Sequence, residues 1–323
     1  MIDNLNHNKK ARELFAQAQQ METRKRRCPP QELIDVYNQL IELEPEFAQA
    51  YVRRGIQQME AGKPEKALED FNRAIELGLK TAETYYERVK SYALLGNKKE
   101  EAMQDLRTVL ELDPRHVRAN DDMGYIMFEE DKKRSAYKYL TAAINNDTDN
   151  PVTFYKRALI NMEEKRYEHA IVDLLDSKTC NPVNAETHYM LGNCYYELGL
   201  LDRALKAYES ASLLSPFVPD PYYKMGCVCY DKGDFDNSVR YFSALISRLP
   251  DSETGYFSCA LAYLGKEDFD SAIANLEKAI SINNEDASAH YLLSQAYLGK
   301  GDEVFGEKYY DKALALGYLP DEN

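Results

Sequence analysis

The chain has 323 residues, 44% of them hydrophobic, and carries 54 acidic against 40 basic residues for a formal net charge of −14. A charge of that sign argues against nucleic-acid binding, which draws affinity from neutralising phosphates. No stretch approaches 18 apolar residues, so no membrane span is expected, and the start MIDNLNHNKKARELF lacks the apolar region of a signal peptide.

Residues 1–47 read as a degenerate helical hairpin. Its first helix lies near Lys10–Thr23 and its second carries Leu33, Tyr37, Leu40 and Pro45, with the insertion RKRRCPP between them. The run Arg24–Arg27 reads as solvated cations at a helix end, complementing the negative end of the macrodipole, rather than as a tag for an acidic partner.

From residue 48 the chain is periodic. Gly55, Gly124, Gly192 and Gly226 stand 69, 68 and 34 residues apart, and twelve residues after each comes Ala67, Ala136, Ala204 or Ser238. A period of 34 divides the chain into units 48–81, 82–116, 117–150, 151–184, 185–218, 219–252, 253–286 and 287–320, followed by a tail, 321–323. In unit 185–218, His188, Leu191, Gly192 and Tyr195, then Ala204, Tyr208 and Ala211, mark two helix faces. Gly199 suits a left-handed helix end between them, and Pro216 stops the second helix. The twentieth place is small in every unit (Ala67, Ala102, Ala136, Ala170, Ala204, Ser238, Ala272, Gly306). The twenty-fourth is large in every unit (Phe71, Leu106, Leu140, Leu174, Tyr208, Phe242, Leu276, Tyr310).

This pattern resembles the tetratricopeptide repeat (TPR), over about nine-tenths of the chain. The resemblance implies an all-α, right-handed α-α superhelix, a TPR solenoid. Its concave groove would be lined by the first helix of each hairpin through places two, five, six, nine, twelve and thirteen. Departures exist: unit 82–116 has an extra residue in its turn and Val89 where Gly is usual, and Leu79, Thr148, Asn284 and Tyr318 replace the usual proline.

No nucleophile, phosphate-loop or metal motif occurs, so no enzyme, cofactor or metal site is expected. His188 and His290 fall at the fourth place, where other units have Tyr, and read as packed rings. Cys180, Cys194, Cys229 and Cys259 read as small core residues with reduced thiols, which points to the cytoplasm.

The groove places carry the functional expectation. The fifth place reads Tyr86, Tyr155, Tyr189, Tyr223, Phe257 and Tyr291, and nearby places add Tyr125, Phe128, Tyr196 and Tyr230. Tyrosine offers large contact area at little rotamer cost, so the ladder suits a bound peptide. The thirteenth place reads Glu129, Glu163, Glu197 and Asp231, with Lys132 and Arg166 three residues beyond two of them. Groove places hold eleven acids against five bases. Chaperone-binding members of the family clamp a carboxylate with Lys, Asn and Arg. Here Asn193 stands isolated, with Tyr189 where Lys is needed, so that clamp is absent.

These residues point to a scaffold or adaptor binding a protein or peptide of basic or polar character, with no nucleic acid and no membrane. The alternative is a structural or regulatory subunit that self-associates. The last helix, near Glu303–Leu316, still carries Val304, Phe305, Tyr310, Leu314 and Leu316, and a homo-oligomer through this C-terminal repeat is one expectation.

Overall fold

The computed structural model describes residues 8–23 and 29–319, and these form eighteen α-helices and no strand. The Arg24–Arg27 run lies outside the described residues. The helices gather into two compact units, one ending at Asp149 and one beginning at Asn150. Each unit is all-α and built of antiparallel hairpins in the manner of a TPR solenoid.

In the first unit the hairpins are α1 (Lys9–Thr23) with α2 (Pro30–Leu43), α3 (Ala48–Glu60) with α4 (Pro64–Glu76), α5 (Ala82–Leu95) with α6 (Lys99–Leu112), and α7 (Val117–Glu129) with α8 (Lys133–Ile144). In the second they are α9 (Pro151–Glu163) with α10 (Tyr167–Cys180), α11 (Ala185–Glu197) with α12 (Leu201–Leu214), α13 (Asp220–Asp231) with α14 (Phe235–Arg248), α15 (Glu253–Gly265) with α16 (Phe269–Ile282), and α17 (Ala287–Gly299) with α18 (Glu303–Ala315). Within each unit the second helix of a hairpin also packs on the first helix of the next.

The periodic small and large residues meet inside each hairpin. A β-carbon placed on Gly55 would come 2.7 Å from the ring of Phe71, and one on Gly226 would come 2.5 Å from that of Phe242. The eighth place is therefore small because the twenty-fourth-place ring occupies the space of its side chain. Ala67, Ala136, Ala170, Ala204, Ser238 and Ala272 are wholly buried, which lets the two backbones close together. Where the small residue is polar, its hydroxyl is used: Ser238 Oγ donates to Gly226 O at 3.0 Å. Burying each large ring or aliphatic chain at this seam contributes about 1.5–3 kcal/mol.

The turns inside hairpins share one backbone device. Gly62, Gly96, Gly199, Gly233 and Gly301 have φ between 69° and 87°, and the same place holds Asp131, Lys165 and Glu267 at φ 56°, 57° and 59°. At most of these turns the residue after the left-handed one donates back to the carbonyl five residues before it, as Leu200 N does to Tyr195 O at 2.8 Å. The Gly96 turn differs. Two residues, Asn97 and Lys98, follow the glycine before α6 begins, so the extra residue of this unit sits here.

Turns between hairpins come in two kinds. After Gly78 and Asp147 (φ 93° and 64°) the chain runs on through Leu79 and Thr148, so a left-handed residue closes the helix at two turns without proline; Gly317 (φ 93°) does the same before Tyr318 after the last helix, whereas the turn at Asn284 has none. At five other turns the fourth-place side chain latches the carbonyl six residues earlier. Tyr51 donates to Pro45 O at 3.0 Å, Asn120 to Pro114 O at 3.1 Å and Tyr222 to Pro216 O at 3.4 Å. His188 and His290 reach Pro182 O and Asn284 O at 3.1 Å each. Both histidines are buried. Their packed-ring role is thus joined to a hydrogen bond that ties each hairpin to the turn before it.

Three ion pairs on buried aspartates go beyond the sequence expectation. Arg54, Arg88 and Arg157 point inward and pair with Asp70, Asp105 and Asp173 at 2.6, 2.7 and 2.5 Å. Arg54 and Arg88 also donate to Asn38 and Asn72 of the preceding hairpin, at 2.8 and 2.7 Å. One expectation is corrected: Cys180, the last residue of α10, is exposed, whereas Cys194, Cys229 and Cys259 are buried. A helix's final residue has no following turn to pack under, so its apolar spacing did not imply burial.

Candidate functional site

In the second unit the first helices α9, α11 and α13 present Tyr155, Tyr189, Tyr196, Tyr223 and Tyr230. All but Tyr230 are half-buried, and Tyr230 is 37% exposed. The fifth-place rings rest on the twenty-fourth-place rings: Tyr189 lies 5.6 Å from Tyr208 and Tyr223 lies 6.0 Å from Phe242, centroid to centroid. The ladder is therefore partly internal packing. In the first unit the matching Tyr86 is buried and is no open rung.

Glu163, Glu197 and Asp231 are exposed and are the last residues of α9, α11 and α13. Tyr196 donates to Asp231 at 2.5 Å, and the Tyr167 hydroxyl lies 3.5 Å from Glu197. Tyr155 reaches Glu186 at 3.4 Å. The bond to Asp231 raises the Tyr196 phenol, and burial followed by the Glu186 charge raises that of Tyr155. These tyrosines stay protonated and keep donating. Lys224 of α13 stands 5.9 Å over the Tyr196 ring, so a cation of this chain already sits on one ring face.

Asn193 has an internal duty, since its Oδ1 accepts from the Tyr208 hydroxyl at 2.8 Å. Lys132 and Arg166 pair with Glu130 and Glu164 at 2.8 and 2.6 Å, the acids one residue beyond the thirteenth place. Tyr125, Phe128 and Glu129 lie on α7 of the first unit. Tyr125 is 47% exposed and Phe128 is half-buried.

Tyr125 also lines a feature absent from the sequence reading, a cavity of about 710 Å³ walled by α3, α5, α6 and α7. Its walls include Met59, Val89, Leu94 and Ile126, and the Gly96 turn borders it. Asp122 stands in its wall, accepting from Tyr86 Oη at 2.9 Å, and burial raises that carboxyl's pKa. The cavity forms where unit 82–116 breaks the pattern: Val89 replaces glycine, and the turn gains a residue. The signal in the sequence was this concentration of departures in one unit.

Family models for the tetratricopeptide repeat match residues 52–117, 185–217 and 219–251, and a further TPR repeat model matches 262–301. The chain belongs to the tetratricopeptide-repeat family, a class whose fold supports a role in protein interaction. Among solved structures, that of MamA is 22% identical with a TM-score of 0.50, covering 53% of this chain and 98% of that one. YrrB, described as a TPR protein with an unusual peptide-binding site, is 17% identical at the same score, covering 57% and 93%. Among curated proteins, human protein O-mannosyl-transferase TMTC3 is 25% identical over 193 residues, 59% of this chain and 21% of that protein. Anaphase-promoting complex subunit 3 of Dictyostelium discoideum is 34% identical over 77 residues, 24% of this chain and 8% of that protein. The chain thus spans about a fifth or less of the length of these curated relatives.

Proposed function

We propose that the chain is an adaptor that binds a segment of another protein carrying Lys or Arg. In the second unit, Tyr155, Tyr189, Tyr196, Tyr223 and Tyr230 would pack against apolar parts and cations, and Glu163, Glu197 and Asp231 would supply charge. In the first unit Phe128 and Glu129 hold the twelfth and thirteenth places and Tyr125 the ninth. Unpaired thiols at Cys194, Cys227, Cys229 and Cys259 fit a reducing, cytoplasmic setting. The proposal needs no cofactor and no catalysis.

One observation carries it. Glu163, Glu197 and Asp231 each end a helix. There the macrodipole disfavours an acid by about 0.3–1 kcal/mol. Helix stability alone would not choose that residue three times, whereas a ligand's cation would. Binding driven by such exposed charges weakens with salt. The test is affinity capture from the native cell, then titration of the recovered partner against Glu163→Lys and Glu197→Lys proteins. Weaker binding with a shallower salt dependence is expected, and unchanged affinity would reject the proposal.

A second reading, self-association, has its own observation. Val304, Phe305 and Leu314 of α18 are 76%, 42% and 41% exposed. Tyr318 covers part of this end by stacking on Tyr291 at 4.1 Å. Light scattering across a concentration series decides it: a monomer throughout would discard this reading.

A further inference from the structure

The cavity of the first unit uses residues that the proposed adaptor face does not, Tyr125 apart. We propose that it is a second binding site, taking one large apolar side chain of a partner protein with a Lys or Arg next to it. The volume of about 710 Å³ falls within the roughly 300–1,000 Å³ of ligand pockets, and exceeds what a single packing defect leaves.

Its walls choose the first half of the occupant. Leu94 lies at the place that holds Glu60 and Glu129 in the neighbouring units, yet it is 64% exposed. A leucine that leaves the acidic row and stays in water at the mouth of an apolar cavity gains its burial only from an incoming apolar group. Met59, Val89 and Ile126 continue that surface inward.

Charge chooses the second half. The three lysines at the cavity are matched already: Lys90 to Glu87 at 2.5 Å, Lys98 to Glu101 at 3.0 Å and Lys99 to Glu130 at 2.8 Å. Asp122 and Glu60 line the same cavity and form no ion pair with Lys or Arg among the described residues. Asp122 accepts from the Tyr86 hydroxyl and feels the charges of His116 and Arg118 without an ion pair to Arg118, while burial and the neighbouring Asp121 disfavour its charge. An arriving cation would give this carboxylate the direct ion pair it lacks, whereas an acidic neighbour would be repelled.

The chain contains no tryptophan, so the emission of a tryptophan brought by a peptide can be followed alone. The probes are two synthetic hexapeptides, acetyl-Gly-Ser-Trp-Arg-Ser-Gly-amide and the same peptide with Glu in place of Arg. A saturable blue shift with the first, and binding at least about tenfold weaker with the second, is expected. Asp122→Asn should bring the first down to the level of the second, with Glu60→Gln at the rim as a milder version. Ala93→Phe, which fills the cavity from an exposed position, should abolish the shift with both peptides. Circular dichroism establishes that each variant is folded. No saturable shift, equal binding of the two peptides, or discrimination surviving Asp122→Asn would overturn the proposal. So would loss of the signal in Glu163→Lys, which would assign the binding to the second unit. Failure here leaves the charge-reversal test of the adaptor face to be decided on its own.

Discussion

Tyr208 occupies the space that a side chain at Gly192 would need: a β-carbon there would lie 2.5 Å from its Cδ1. The phenol is wholly buried, and its hydroxyl is spent on Asn193 at 2.8 Å, so the ring has no room to swing away. Alanine would improve helix propensity by about 0.5–1 kcal/mol but overpack the seam by about 1–3 kcal/mol. Gly192→Ala is therefore expected to destabilise α11 and α12 by about 1–2 kcal/mol, and Gly192→Val by more. Faster amide hydrogen exchange confined to residues 185–214 would be the signature, and unchanged exchange would mean that the ring moves freely.

Arg157 and Asp173 join α9 to α10, with Asn161 also donating to the aspartate at 2.9 Å. Removing one partner leaves a buried charge, at a cost of about 3–5 kcal/mol. The chain itself shows an apolar alternative, for Leu191 and Ala207 hold the same two places in the next hairpin and are buried. Arg157→Leu alone should strongly destabilise this hairpin, while Arg157→Leu with Asp173→Ala should recover most of the loss. Urea unfolding of the singles and the double decides it; a double variant no better than the single would mean that the packing cannot be transferred.

Lys165 and Glu267 hold a left-handed backbone at φ 57° and 59°, where five sister turns use glycine. A side chain in that conformation costs roughly 1–2 kcal/mol, part of which glycine gives back in unfolded-state entropy. Lys165→Gly and Glu267→Gly should each gain several tenths of a kcal/mol, up to about 1. Gly199→Ala should lose about 1 kcal/mol for the same reason, since no atom lies within 4 Å of its missing β-carbon and only the backbone is strained. Thermal midpoints moving in opposite directions for the two kinds of change would establish this.

The sequence carried the fold because the residues that close each hairpin are local and periodic. Gly55 with Phe71 and Gly192 with Tyr208 recur at fixed spacing, and the left-handed Gly199 was readable from its place alone. The Arg157–Asp173 pair was not readable. A charged residue every few positions looks like a solvated face, and only the packed hairpin turns this arginine inward. The hydroxyl partners of Tyr155 and Tyr196 were hidden for a related reason, because they belong to the following hairpin. The cavity was least visible. It arises where Val89, Leu94 and the lengthened Gly96 turn act together, and no single one of them predicts an opening.

Burial pushes the Cys229 thiol up to about 11 and the Cys194 thiol up to about 12. Both side chains are almost wholly inaccessible, whereas Cys180 is exposed. In the unfolded chain these buried thiols ionise near the ordinary value of about 8.5. The folded state therefore holds protons that the unfolded state has lost. Their contribution to stability is intact below about pH 8.5 and declines as pH rises through 11 to 12. Tyr297, raised to about 12 by burial and then by Glu277, adds to the loss in the same direction. Urea midpoints should be flat between roughly pH 7 and 8 and fall steadily above that range. At neutral pH a maleimide should label Cys180 within the native fold and reach Cys194, Cys229 and Cys259 only after denaturant opens their hairpins. Rapid native labelling of Cys194 would show that the seam between α11 and the helices around it opens far more often than its packing implies.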